Sequence, residues 1–309
     1  MWDILYLLLG VLLAGVGGEL FVRGLVGLAS WARVPPGIIG ATVAAFATTS
    51  PEISVAVSAS LQDASDMALG GALGSNIINV GVILAVAAII APIRPGSSSP
   101  AKDVALPVVG LSAVVLLGLD GEISRLDSVL LLVVFATWLV TKIVVARRER
   151  SAAEEVLGES HHGRAVVEGL AGFGMLVGAG VLIVEGATSM AARYGWNEFL
   201  VGATLVAIGT STPEFATMLI SKLRGHDEVG YGNILGSIVY NTFLIVGLAG
   251  VIAPISISAG EVALGAGTGI LLILLSLPGK SGQIVRGRGL ALMSVHAVYV
   301  AVVVSMTPQ

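Results

Sequence analysis

The chain has 309 residues, 55% hydrophobic and 12% charged, with a mean hydropathy of +0.96 and a formal charge of -4. Soluble domains carry about 25% charged residues on average, so this composition is that of a membrane protein. Without a single cysteine, disulfides and thiolate metal sites are excluded, and no nucleic-acid patch, heptad array or low-complexity tract interrupts the chain.

A spanning helix needs about 20 mostly apolar residues. The N-terminal Met1-Trp-Asp-Ile-Leu-Tyr-Leu lacks the basic region of a cleavable signal, so it reads as the start of a retained first span. Ten predicted spans follow in chain order: 4–30, 36–61, 67–91, 103–118, 126–147, 165–192, 197–221, 229–252, 257–277 and 289–306. Five precede a polar linker and five follow it, dividing the chain into 1–147, a linker 148–164, and 165–309. An odd number of spans per half inverts the second half relative to the first. The fold class is therefore an all-α membrane protein of ten transmembrane helices in two inverted five-helix repeats.

Charge sets the orientation. The linker side carries Arg33, Arg94, Lys102, Lys142, Arg147, Arg148, Arg150, Arg164, Lys222, Arg224, Lys280, Arg286 and Arg288, whereas the other side has only Arg125 and Arg193. By the positive-inside rule the linker is cytoplasmic and both termini are outside. The outer side collects Asp3, Asp63, Asp66, Asp120, Glu122, Asp127, Glu198 and Glu261, which enrich cations at the outer mouth. His161-His162 in the linker reads as a solvated pair. Glu19 and Arg23 lie four apart and pair within the first span, and Arg23 aligns with Glu185 in the second half.

The two halves share more than topology. Gly40-Ala-Thr-Val-Ala-Ala-Phe-Ala-Thr-Thr-Ser-Pro-Glu52 returns as Gly202-Ala-Thr-Leu-Val-Ala-Ile-Gly-Thr-Ser-Thr-Pro-Glu214, an offset of 162 residues. Leu73-Gly-Ser-Asn-Ile-Ile-Asn79 returns as Leu235-Gly-Ser-Ile-Val-Tyr-Asn241 at the same offset. In a soluble protein Ser-Pro-Glu would simply open a helix. Here it sits halfway along an apolar span, where a helix start means a broken helix, tolerated only against protein or a wet cavity. The proline is expected to free carbonyls near Ala45 and Ala207. Thr48 and Glu52 share one helical face, as do Thr210 and Glu214, Ser75 and Asn79, and Ser237 and Asn241. Four helices thus bring hard oxygen ligands to one depth, a set suited to Na⁺ or Ca²⁺ and not to transition metals.

These motifs resemble those of the calcium/cation antiporter superfamily, in its sodium/calcium exchanger branch of prokaryotic type. The resemblance implies cation coordination by Thr48, Thr49, Glu52, Ser75, Asn79 and the Ala45 carbonyl. In the second repeat it implies Thr210, Ser211, Glu214, Ser237, Asn241 and the Ala207 carbonyl. It further implies a secondary antiporter exchanging Ca²⁺ for Na⁺ by alternating access in a plasma membrane, with no cofactor beyond the transported ions and no obligate protein partner. Spans 4–30 and 165–192 resemble the family's sliding pair. The sequence departs from the pattern at Ala47, Thr49 and Ile238, and at Asn241, where several exchangers carry Asp. The last departure leaves H⁺/Ca²⁺ exchange as the alternative. An intramembrane hydrolase finds no zinc, serine-elbow or aspartyl signature in the spans. A passive channel suits paired fixed carboxylates and inverted broken helices less well.

Overall fold

The computed structural model describes residues 2–31, 45–95, 100–149, 162–223, 225, 227–279 and 281–306. Most of the linker 148–164, the first part of the predicted span 36–61 and the His161-His162 side chains lie outside the described residues.

Apolar segments in lipid must satisfy their backbone internally, and the chain does so almost wholly with helices. In the first repeat these are α1 (Trp2–Trp31), α2 (Ala45–Thr48), α3 (Ser50–Leu61), α4 (Ser65–Ile78), α5 (Ala85–Ile90), α6 (Pro100–Leu117) and α7 (Arg125–Glu149). The second repeat has α8 (His162–Tyr194), α9 (Glu198–Val201), α10 (Ala207–Thr210), α11 (Thr212–Leu223), α12 (Asp227–Val239), α13 (Val246–Ile252), α14 (Ala259–Leu275) and α15 (Arg286–Met306). Each of the ten predicted spans contains a helix. Among the described residues six helical spans are long and apolar enough to cross a membrane alone, and a seventh if Glu198–Thr210 and Thr212–Leu223, bent by 44°, count as one.

The predicted breaks are present. Thr49 separates α2 from α3 and Ser211 separates α10 from α11, each immediately before a Thr/Ser-Pro-Glu helix start. Not anticipated were three π-helical stretches, Asn79–Leu84, Gly202–Val206 and Tyr240–Ile245. Two of them begin at or beside Asn79 and Asn241. A π-turn inserts an extra residue into the ladder, and nothing in an apolar periodicity announces that.

Layering follows polarity. The spans Ser65–Ile90 and Val229–Ile252 are each 78% buried, whereas Arg125–Val144 is 17% buried and presents Val133 and Leu130 outward. The motif-bearing helices are therefore the core, and the peripheral helices face lipid. Small residues set the close approaches: a Cβ on Gly74 would run into the Ala203 backbone, so α4 packs against the stretch Gly202–Val206 with no room for a side chain.

Helices α1 and α8 run antiparallel, with Gly10 against Ala179, Gly17 against Gly172 and Gly24 against Ala165. Both series step by seven residues, which keeps small residues along one seam over the whole pair. A Cβ on Gly17 would stand 2.7 Å from the Met175 Cβ. The end of the pair that holds the start of α1 is tied by Asp3, which accepts from Arg193 at 2.7 Å and from the Ser189 hydroxyl at 2.8 Å. Arg23 pairs with Glu19 at 2.8 Å, as its spacing predicted.

Short backbone links join the repeats. Glu122–Ile123 (β1) pairs antiparallel with Ile255–Ser256 (β2), and Ile93 bridges Ile284. Ile93 and Ile255 are equivalent at the 162-residue offset. Since Ile93 precedes and Ile123 follows the span Pro100–Leu117, the two links lie at opposite ends of the bundle. That is the geometry of an inverted repeat.

Candidate cation site

The breaks bring the duplicated motifs together in the centre of the bundle. Glu52 is 5% exposed, and Glu214, Ser75, Asn79 and Ser237 are fully buried, with Thr49, Thr210, Ser211 and Asn241 at 2% or less. Thr48 is only partly buried.

Contacts cross between the repeats. The Thr210 and Ser211 hydroxyls stand near Glu52, while those of Thr48 and Thr49 stand near Glu214. Each glutamate thus faces the hydroxyl pair of the opposite repeat. Thr49 donates to the Ser237 hydroxyl at 3.5 Å, and Ser237 donates to Glu214 Oε1 at 3.2 Å. Thr48 reaches Asn233 Oδ1 at 3.4 Å. Thr210 is turned back to the Val206 carbonyl at 3.2 Å, as mid-membrane hydroxyls often are.

The carbonyls behave differently from expectation in the second repeat. An α-helical N–H bonds four residues back, so Pro213 deprives Gly209 rather than Ala207. The Thr212 hydroxyl takes that Gly209 carbonyl at 2.9 Å, and the Ala207 carbonyl accepts the Ser211 amide at 3.1 Å. Ala207 retains its second lone pair for another partner. Ala45 opens α2 at the equivalent position.

The oxygens left over define the chemistry. Both carboxylate oxygens of Glu52, Oε2 of Glu214, the Ser75 and Ser211 hydroxyls, and Oδ1 of Asn79 and Asn241 are buried with no hydrogen-bond partner. None of the ion pairs among the described residues involves either glutamate. Two buried carboxylates repel each other and cost several kcal/mol each unless a counter-charge is supplied. Convergent hard oxygens that include two carboxyl groups match the donor set of Ca²⁺ or Na⁺. A cavity of about 10 Å³ lies between Glu52, Thr210, Met67, Ala68 and Gly71, room for about one water-sized particle.

Sequence reasoning passed over Asn233, Asn76 and Thr242. Asn233 lies four residues before Ser237, so extending the i, i+4 stripe one turn would have found it. Asn76 and Thr242 are neighbours of site positions on a different helical face, and each is replaced by an apolar residue (Ile238, Val80) in the other repeat. Duplication therefore gave no signal for them.

Comparison with known proteins gives a consistent picture. The family described as sodium/calcium exchanger protein matches over residues 2–144 and 165–305. The chain is 33% identical to the inner membrane protein YrbG of Escherichia coli over 259 residues, covering 80% of this chain and 79% of that one. It is 27% identical to the sodium/calcium exchanger MaX1 of Methanosarcina acetivorans, over 97% and 98% of the two chains. Among solved structures, the sodium-calcium exchanger NCX_Mj soaked with 2.5 mM Na⁺ and 10 mM Sr²⁺ superposes with a TM-score of 0.66 at 27% identity, covering 97% of this chain and 99% of that one.

Proposed function

Because this chain belongs to the sodium/calcium exchanger family, we propose that it exchanges Ca²⁺ for Na⁺ by alternating access, with Glu52 and Glu214 as the charged ligands. It is a multi-pass membrane transporter and not an enzyme. The observation that carries the assignment is the pair of buried glutamates, unpaired with any described cationic side chain and each set against the opposite repeat's hydroxyls. Around them, Thr48, Thr49, Ser75, Asn79, Thr210, Ser211, Ser237, Asn241 and the Ala45 and Ala207 carbonyls supply neutral oxygens.

Charge arithmetic then gives the coupling. Two ionised glutamates are neutralised by one Ca²⁺ or by two Na⁺, and three Na⁺ leave a single positive charge. Emptying the site exposes two unpaired carboxylates to low dielectric, so the loaded forms are the ones that move. Exchange follows, because neither ion set leaves without the other taking its place.

The repeats extend over 1–147 and 165–309 with the linker 148–164 on the cytoplasmic side, both termini outside, in the plasma membrane. The small-residue seam between α1 and α8 supports these helices as the pair that shifts against the core.

The test is Ca²⁺ flux into proteoliposomes under an imposed Na⁺ gradient and, separately, an imposed pH gradient. Na⁺-driven flux that survives a protonophore supports the reading. Flux that follows the pH gradient in Na⁺-free medium would transfer the assignment to H⁺/Ca²⁺ exchange.

A further inference from the structure

The two repeats differ in how they hold their motif asparagines. Asn241 donates its amide Nδ2 to Asn76 Oδ1 at 3.0 Å, and Asn76 donates its own Nδ2 to the Thr242 hydroxyl at 3.1 Å. All three side chains are buried to within 1% of complete. With its NH₂ committed to Asn76, Asn241 is left with Oδ1 unpartnered. In the other repeat Ile238 stands at the position of Asn76 and Val80 at that of Thr242. Correspondingly, both amide atoms of Asn79 lack a partner.

We propose that Asn76 is a positioning residue that fixes Asn241 with its carbonyl oxygen turned to the cation, so that the site has one held amide and one unheld amide. This rests on the antiporter reading above. An amide is ambivalent at a cation site, since one end is a ligand and the other is a pair of donors that a cation repels. Holding the NH₂ of Asn241 elsewhere removes the wrong orientation before the ion arrives, and preorganisation of that kind strengthens binding without adding a contact. It also gives a reason for an asparagine in the apolar packing between α4 and the π-turn Tyr240–Ile245, where Ile238 suffices in the other half. Asn79, with Ile238 opposite Asn76 in the pattern, orients only when an ion is present.

The experiment is equilibrium ⁴⁵Ca²⁺ binding to the purified full chain, with thermal unfolding in cation-free buffer as a fold control. Asn76→Leu keeps the number of side-chain heavy atoms and removes both the acceptor for Asn241 and the donor to Thr242, and should weaken Ca²⁺ binding about tenfold, the scale of one lost buried hydrogen bond to a ligand. Thr242→Val, a milder change, should weaken it in the same direction by about threefold. In an Asn241→Ala background both effects should shrink to less than about twofold, because a residue acting through Asn241 has nothing left to position. A merely structural asparagine would weaken binding equally in both backgrounds, and that result overturns the proposal, as does wild-type affinity in folded Asn76→Leu. If Asn76→Leu does not fold, Thr242→Val decides by the same comparison. Glu52→Gln is run alongside: if it binds Ca²⁺ like the wild type, the site assignment itself fails, whereas its loss of binding with no effect at Asn76 removes only this inference.

Discussion

Thr49 of the first repeat donates its hydroxyl to Ser237 of the second at 3.5 Å, and Ser237 in turn donates its own hydroxyl to Glu214 at 3.2 Å. This two-step contact spans the interface between inverted repeats and ends on a buried carboxylate. Hydrogen bonds to charged groups are worth about 1.5–3 kcal/mol. Ser237→Ala should therefore reduce Ca²⁺ affinity about tenfold or more in protein that still folds. Wild-type affinity in Ser237→Ala would separate this contact from ion binding.

The glutamates give the sharpest stability prediction. Replacing either by Gln removes a buried charge that no described side chain neutralises, and removing such a charge is neutral or stabilising. In cation-free buffer Glu52→Gln and Glu214→Gln should unfold at or above the wild-type temperature. Ca²⁺ should raise the wild-type Tm by linkage and should leave both variants unmoved. A Ca²⁺-dependent rise of wild-type size in both variants counts against the site.

The helical seam predicts a different defect. Gly17→Leu puts a side chain where even a Cβ would meet Met175 at 2.7 Å, and overpacking of this kind costs about 1–3 kcal/mol. Flux should fall sharply, and Ca²⁺ binding to the purified protein should fall much less, since the seam contributes none of the oxygen ligands. Equal losses of flux and binding would mean that the seam only holds the fold.

Much of this was legible in the sequence because duplication repeats its own signal. The ten helical segments followed from the length of the apolar runs, and the breaks at Thr49 and Ser211 beside Glu52 and Glu214 followed from a pattern that occurs twice at one offset. What escaped was either silent in an apolar run or without a counterpart in the other repeat. The π-turns at Asn79 and Tyr240 leave no mark on an apolar run, and Asn76 and Thr242 have apolar counterparts. The Gly209 carbonyl was missed because the cost of a proline falls four residues back, not six.

Orientation can be checked by labelling, since the chain has no native cysteine. Gln62 and Asp120 are exposed at the side proposed to be external, and Ser281 is exposed at the side proposed to be cytoplasmic. In intact cells Gln62→Cys and Asp120→Cys should react with an impermeant thiol reagent, and Ser281→Cys should react only after permeabilisation. The inverse pattern would reverse the assignment from the positive-inside rule.

Asn241 offers a test through pH. An amide contributes an oxygen without charge, so Asn241→Asp adds a third carboxylate at the site. When that carboxylate is ionised it should strengthen Ca²⁺ binding, and as pH falls its protonation should remove the gain. The variant should therefore lose affinity on acidification more steeply than the wild type, and parallel pH profiles would place residue 241 away from the ion.

Glu52 and Glu214 are proposed to hold the transported cation together. This is tested most directly by ⁴⁵Ca²⁺ binding to purified protein titrated with Na⁺, comparing the wild type with the double variant Glu52→Gln/Glu214→Gln. Wild-type protein should bind Ca²⁺ saturably and lose it to Na⁺, and a folded double variant should show no saturable binding. Saturable, Na⁺-displaceable binding of wild-type affinity in that double variant would contradict that joint role.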